Sequence, residues 1–166
     1  MAEGKTIYLA GGCFWGVQKF IDQFDGIIET EVGYANGPDK APSYEDVCHS
    51  SGHAETVKVT YDPDRLPLGK LLEYYFMVID PVSVNRQGND IGIQYRTGIY
   101  YTEEEQLPEI NAVADKIRSE VNGKMAVEIE QIHNFFSAEE YHQKYLEKNP
   151  NGYCHIRPQM FHLTEE

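Results

Sequence analysis

Basic residues are scarce in this chain. Fourteen Lys and Arg stand against 27 Asp and Glu, a formal net charge of −13 with histidine neutral. Such a surface repels phosphate backbones and anionic lipid, so neither nucleic acid nor a membrane surface is expected as a partner. Cysteine is equally sparse. Cys13, Cys48 and Cys154 are the three in 166 residues, an odd set unlike the paired frameworks of secreted domains. No apolar run approaches the roughly 20 residues of a membrane-spanning helix. Met1 to Thr6 lacks the basic flank and long apolar core of a signal peptide, so a cytoplasmic location is expected. Internal repeats, low-complexity tracts and Pro/Gly/Ser linkers are missing too. No GxGxxG or Walker pattern offers a phosphate cradle. Without paired CxxC or HxxxH spacing, a metal site assembled from Cys48, His49, His53, Cys154 and His155 is not expected.

What is present fits an ordinary globular domain. Hydrophobic residues make up 41% and charged residues 25%, which argues against disorder and coiled coil. One catalytic-sized domain over 1–166 is expected, a monomer, with a core over about 5–148 and an irregular tail over about 149–166. Thr6–Ala10 reads as a strand, and Phe14, Val17, Ile21 and Phe24 recur at helical spacing after it. Ile28, Thr30, Val32 and Tyr34 are expected on one face of a second strand, with Glu29 and Glu31 on the other. Ala35–Gly52 and Asp80–Ile93 read as long irregular loops, a length that usually serves function. A strand over Glu55–Tyr61, a helical stripe from Leu68 to Ile79 and a strand over Thr97–Tyr101 come next. Thr102 with Glu105, and Ser137 with Glu140, form capping-box patterns ahead of two more helices, the first with Pro108 awkwardly late for an opening turn. Val127 and Ile129 alternate with Glu128 and Glu130, a further one-sided strand. Several strands with one polar face favour an α+β two-layer sandwich: a mixed sheet with helices mainly on one face and a ferredoxin-like core.

Cys13 carries the strongest chemical signal. It lies where a strand, Gly11 and Gly12 meet the start of a helix. Helix N-termini hold unpaired N–H groups and partial positive charge, which favour a thiolate. The plainer alternative is a cysteine packed at a junction. Phe14 shares the core stripe, whereas Trp15 has Gln18, Lys19 and Asp22 as helical neighbours and is expected to be exposed as an apolar recognition surface. Glu55 aligns with Val57, Val59 and Tyr61 on the apolar face of its strand. Desolvation there raises a carboxyl pKa and suits a general acid. The alternative places Glu55 at the strand end, in water, with His53 as an exposed partner. Tyr44, Tyr95 and Asp90 sit in or beside the loops, where they are placed to bind a polar substrate oxygen.

These residues resemble the A class of peptide methionine sulfoxide reductases. The resemblance rests on Gly12-Cys13-Phe14-Trp15-Gly16, Gly33-Tyr34, Tyr44, Gly52-His53-Ala54-Glu55, Gln87-Gly88-Asn89-Asp90 with Gln94-Tyr95-Arg96, and Asn149-Pro150-Asn151-Gly152-Tyr153-Cys154. It implies reduction of the S epimer of methionine sulfoxide, free or in proteins, with no metal and no cofactor. Cys13 is then the nucleophile, and Glu55 protonates the oxygen. Tyr44 and Tyr95 hydrogen-bond that oxygen, Asp90 orients the polar side, and Phe14 and Trp15 hold the methyl group. Cys154 is implied as the thiol that resolves a Cys13 sulfenic acid, with Cys48 as the alternative. No cysteine follows Cys154, so a relay through a second resolver beyond it is not expected. Thioredoxin, or glutathione with glutaredoxin, is implied as the external reductant.

Overall fold

Apolar side chains at every second position build the first strand, β1 (Lys5–Ala10), with Ile7 and Leu9 buried on one face. The structure is a computed structural model, which describes residues 4–38, 40, 42–48, 51–87, 90–121, 124–149, 156, 160, 161 and 163. Cys154 and the side chain of Cys48, the two implied resolving thiols, lie outside the described residues.

Helix α1 (Phe14–Asp22) follows β1 through two glycines. Gly12 takes φ +80°, a backbone region that side chains disfavour. Gly11 is needed for a different reason: a Cβ there would lie 2.4 Å from Cγ2 of Ile79. The chain continues through β2 (Ile27–Ala35), the short α2 (Tyr44–Cys48), β3 (Ala54–Tyr61) and α3 (Leu68–Phe76). A two-residue ladder, β4 (Arg86–Gln87) with β5 (Asp90–Ile91), precedes β6 (Gly98–Tyr101), α4 (Leu107–Glu120), β7 (Glu128–Gln131), β8 (Phe135–Ser137) and α5 (Tyr145–Lys148).

Six strands form a mixed sheet in the order β7-β6-β1-β3-β2-β8. Neighbours are antiparallel except for the parallel pair β6 and β7. The large core lies between one face of the sheet and α1, α3 and α4. Phe20, Ile21, Leu71, Leu72, Ile110 and Val57 are inaccessible within it. A smaller cluster of Ala10, Ala35, Ala54 and Tyr100, flanked by Tyr8, Ile132 and Phe135, occupies the opposite face. The architecture is thus the α+β class expected from the strand patterning.

The register decides where function sits. Ala10 pairs with both Thr56 and Gly98, Tyr34 with Glu55, and Ala35 with Phe135. One end of the sheet therefore gathers the segment after β1, the segments before β3, β6 and β8, and the chain leaving β2. Cys13, Glu55 and the turn before Gly98 all lie at that end.

Several local expectations shift. Ile28 is 58% exposed rather than inward, because the register slips between Ile27 and Glu29 and the extra residue turns outward. The first capping box is made by Glu103 and Gln106, one residue later than expected, on a 3-10 turn that precedes α4. That turn places Pro108 in the opening positions of α4, which resolves its awkward spacing. Ser137 caps no helix. It ends β8, and its hydroxyl donates to Glu31 across the sheet. The helix expected after it is broken into a 3-10 turn, Glu140–His142, and α5, with Lys144 in the left-handed region between them. The two long loops also contain the short α2 and the β4–β5 ladder.

Candidate active site

Cys13 occupies the N-cap of α1 with extended backbone, and it is 7% exposed. The next amide, Phe14 N–H, belongs to the first turn and has no partner within the helix. It donates instead to Oε1 of Glu55 at 3.3 Å. The carboxyl on β3 and the cysteine at the helix start are thereby joined through adjacent residues. Glu55 is 1% exposed, and its Oε2 has no hydrogen-bond partner among the described residues. Burial pushes its carboxyl up to about 8. The Phe14 amide pulls it down, and the charge of Asp90 pushes it further up. Glu55 therefore lies on the buried face that its phase along the strand indicates, and not at a strand end in water. His53 is buried as well, its Nδ1 paired with the Ser51 hydroxyl and its Nε2–H with the Pro38 carbonyl.

Phe14 is also buried, with its ring 5.7 Å from that of Tyr34 and 5.4 Å from His142. Trp15 differs from its expected exposure. It is half-buried, stacked on Tyr145 with ring centres 3.8 Å apart, and its indole N–H donates to Nδ1 of His142 at 2.9 Å. Its helical neighbour Gln18 is buried despite its polarity. Gln18 accepts from the Lys144 amide at 2.9 Å and donates to the Thr30 hydroxyl, so that side of α1 is covered where its polarity pointed to solvent.

Tyr44 begins α2, and its ring centre lies 4.4 Å from that of His142. Its amide donates to Oε2 of Glu139 at 3.0 Å, while the Tyr34 hydroxyl donates to Oε1 at 2.9 Å. Burial alone raises the Glu139 carboxyl. The hydrogen bonds from Tyr44 and Tyr34, with the nearby His142, outweigh burial and hold its pKa below the ordinary value. Burial lowers His142, opposed by the Glu139 charge.

Asp90 lies on β5, near enough to raise Glu55 electrostatically. Tyr95 closes the 3-10 turn Ile93–Tyr95, which packs against β3. Arg96 fixes that turn: its guanidinium donates to the carbonyls of Ile93 and Asn36 and to Glu128. Sequence reasoning missed Glu139, His142 and Tyr145, and included Tyr34 only within a matched motif, without a role. The spacing of Glu139, His142 and Tyr145 was available as a signal, a charged group and two rings recurring every third residue.

Among the described residues, no group of three or more His, Cys, Asp or Glu is placed to hold a metal ion. No helix among them is long and apolar enough to cross a membrane.

Comparisons with known proteins bear on this geometry. A family profile described as peptide methionine sulfoxide reductase matches residues 5–165. The peptide methionine sulfoxide reductase MsrA of Lachnoclostridium phytofermentans is 55% identical over 153 residues, covering 92% of each chain. Mxr1 from Saccharomyces cerevisiae in reduced form superimposes with a TM-score of 0.88 at 37% identity, covering 93% of this chain and 92% of its own. The same yeast protein in complex with Trx2 aligns with a TM-score of 0.62 at 29% identity, over 86% of this chain and 85% of that one.

Proposed function

The chain belongs to the peptide methionine sulfoxide reductase family and reduces methionine sulfoxide, and we propose how that reaction is divided among its own residues. Cys13, as the thiolate, attacks the sulfur of the S epimer of methionine sulfoxide. A sulfoxide sulfur is a poor electrophile until its oxygen gains a proton or strong hydrogen bonds. Glu55 supplies that proton, with Tyr44 and Tyr95 as hydrogen-bond donors to the oxygen and Asp90 orienting the polar side. Phe14 and Trp15 enclose the methyl group.

The balance is simple. The sulfoxide loses its oxygen and becomes methionine; Cys13 takes that oxygen and becomes a sulfenic acid. A second thiol, Cys154 or alternatively Cys48, condenses with it, forming a disulfide and releasing water. A dithiol reductant then returns both cysteines to thiols. The yeast complex with Trx2 supports a thioredoxin-type partner for this step. We place the enzyme in the cytoplasm as a monomeric single domain working without a metal or other cofactor, in keeping with its few cysteines and acidic surface.

A single observation carries this assignment. A buried carboxyl with a raised pKa sits against the amide that follows the cysteine, with its second oxygen uncommitted among the described residues. The site thus offers a proton donor beside a sulfur at a helix start, where the dipole favours negative charge.

A single-turnover experiment tests it. Reduced protein is mixed with methionine sulfoxide and no reductant, then mapped by peptide mass analysis. One equivalent of methionine and a Cys13–Cys154 or Cys13–Cys48 bridge are expected. Methionine formation by Cys13→Ser would end the assignment of the nucleophile.

A further inference from the structure

The indole of Trp15 can only donate a hydrogen bond, and its acceptor among the described residues is Nδ1 of His142 at 2.9 Å. His142 is fully buried, and its ring touches Phe14, Trp15, Tyr44 and Tyr141. We propose that His142 is a positioning residue for the reaction: by accepting from the Trp15 indole it fixes the orientation of the aromatic wall that selects a methyl group. The inference rests on the proposed role of Trp15 in enclosing that methyl.

Trp15 lies off the Val17–Ile21 stripe of α1 and is only partly buried against the core, and its ring contacts are with Tyr145 and His142. Stacking on Tyr145 restrains the indole plane but leaves it able to slide and rotate in that plane, because stacking has little directionality. The hydrogen bond removes that freedom. It demands an unprotonated Nδ1, so any proton on the neutral imidazole resides on Nε2, which has no partner among the described residues. Packing among these four rings requires no polar atom, whereas the Trp15 indole N–H requires an acceptor. A nitrogen acceptor at the centre of the cluster is unnecessary for packing and is explained by a need for orientation.

Trp15 is the only tryptophan, so its emission reports directly on this bond. Three proteins are compared with the wild type: His142→Phe, which keeps a buried ring and removes the acceptor; His142→Asn, whose Oδ1 replaces Nδ1; and Trp15→Phe, which removes the donor. Steady-state rates are measured with N-acetylmethionine sulfoxide and its ethyl homologue, using dithiothreitol so that the resolving and recycling partners play no part. For His142→Phe, KM for the methyl substrate is expected to rise about tenfold with kcat little changed, the methyl-over-ethyl preference to fall, and Trp15 emission to shift. His142→Asn is expected to restore all three. In the Trp15→Phe background, exchanging His142 for Phe is expected to add no further loss.

Unchanged KM, preference and emission in a folded His142→Phe would overturn the proposal, as would a full additional loss in the Trp15→Phe background. If His142→Phe does not fold, His142→Asn and Trp15→Phe decide it: a tenfold loss of affinity in the Asn variant with its acceptor intact also overturns it. Failure of the underlying reading looks different. Trp15→Phe and Trp15→Ala would then leave KM and methyl preference unchanged while wild-type turnover persists.

Discussion

The backbone amide of Phe14 donates to the carboxyl of Glu55 across 41 positions of sequence. This one bond orients the carboxyl toward the helix start and leaves its other oxygen without a partner among the described residues. Glu55→Gln keeps an acceptor for that amide and removes the transferable proton. Turnover of methionine sulfoxide is expected to fall about 100-fold or more, with the fold intact by circular dichroism. A Gln variant within a few-fold of wild type would remove Glu55 from the role of acid.

The raised Glu55 pKa also sets a pH dependence. The acid is protonated below about 8, so its contribution to kcat/KM is expected to be lost as pH rises through that region. Stability moves the same way. The unfolded chain releases the Glu55 proton near the ordinary value of 4.5, whereas the folded chain retains it up to about 8. Stability from this group is therefore complete below 4.5 and is lost progressively up to about 8, by at most on the order of 5 kcal/mol. Urea unfolding of wild type and Glu55→Gln should accordingly diverge with rising pH, the variant becoming relatively more stable at about pH 9 than at about pH 4. Parallel pH curves would contradict the buried, protonated carboxyl.

Glu139 ties Tyr34 and Tyr44 together from a segment roughly 100 positions later. Glu139→Gln retains one accepting oxygen and turns a donor toward the other partner. We expect kcat to fall about tenfold with a smaller change in KM, since the role proposed for Tyr44, bonding the sulfoxide oxygen, is one that matters more to the developing charge than to the bound substrate. Combining it with Tyr44→Phe should cost less than the sum of the two single losses. Strict additivity would show that Glu139 does not act through Tyr44.

Close packing behind the cysteine is testable without substrate. Gly11→Ala drives a methyl group into Ile79 and against the Tyr75 ring. A loss of about 1–3 kcal/mol in chemical unfolding is expected. Ile79→Ala in the same chain should return part of it by removing Cγ2. A neutral Gly11→Ala would mean that the residue after β1 and the segment after α3 are less tightly apposed than this contact implies.

Period-two and helical patterns made β1, β3, α1 and α3 legible in the sequence, because each of these elements has one face against the core, while Glu55 was left between a buried face and a wet strand end. Resemblance of whole motifs supplied the roles proposed for Tyr44, Tyr95 and Asp90, which no local pattern distinguishes among twelve tyrosines and many carboxylates. What escaped was set by tertiary partners. Ile28 is apolar yet outward because a bulge shifts the register beneath it. Gln18 is polar yet buried because the Lys144 amide and Thr30 satisfy it. The Ser137–Glu140 spacing imitated a helix cap, but the strand contact of β8 with β2 decided that stretch.

Trp15 and Gln18 find their partners 127 and 126 residues farther along the chain. During synthesis, the first helix leaves the ribosome long before the residues that bond Trp15 and Gln18 exist. A nascent chain thus carries that side of the first helix uncovered until the late-made stretch around His142 and Lys144 folds back over it.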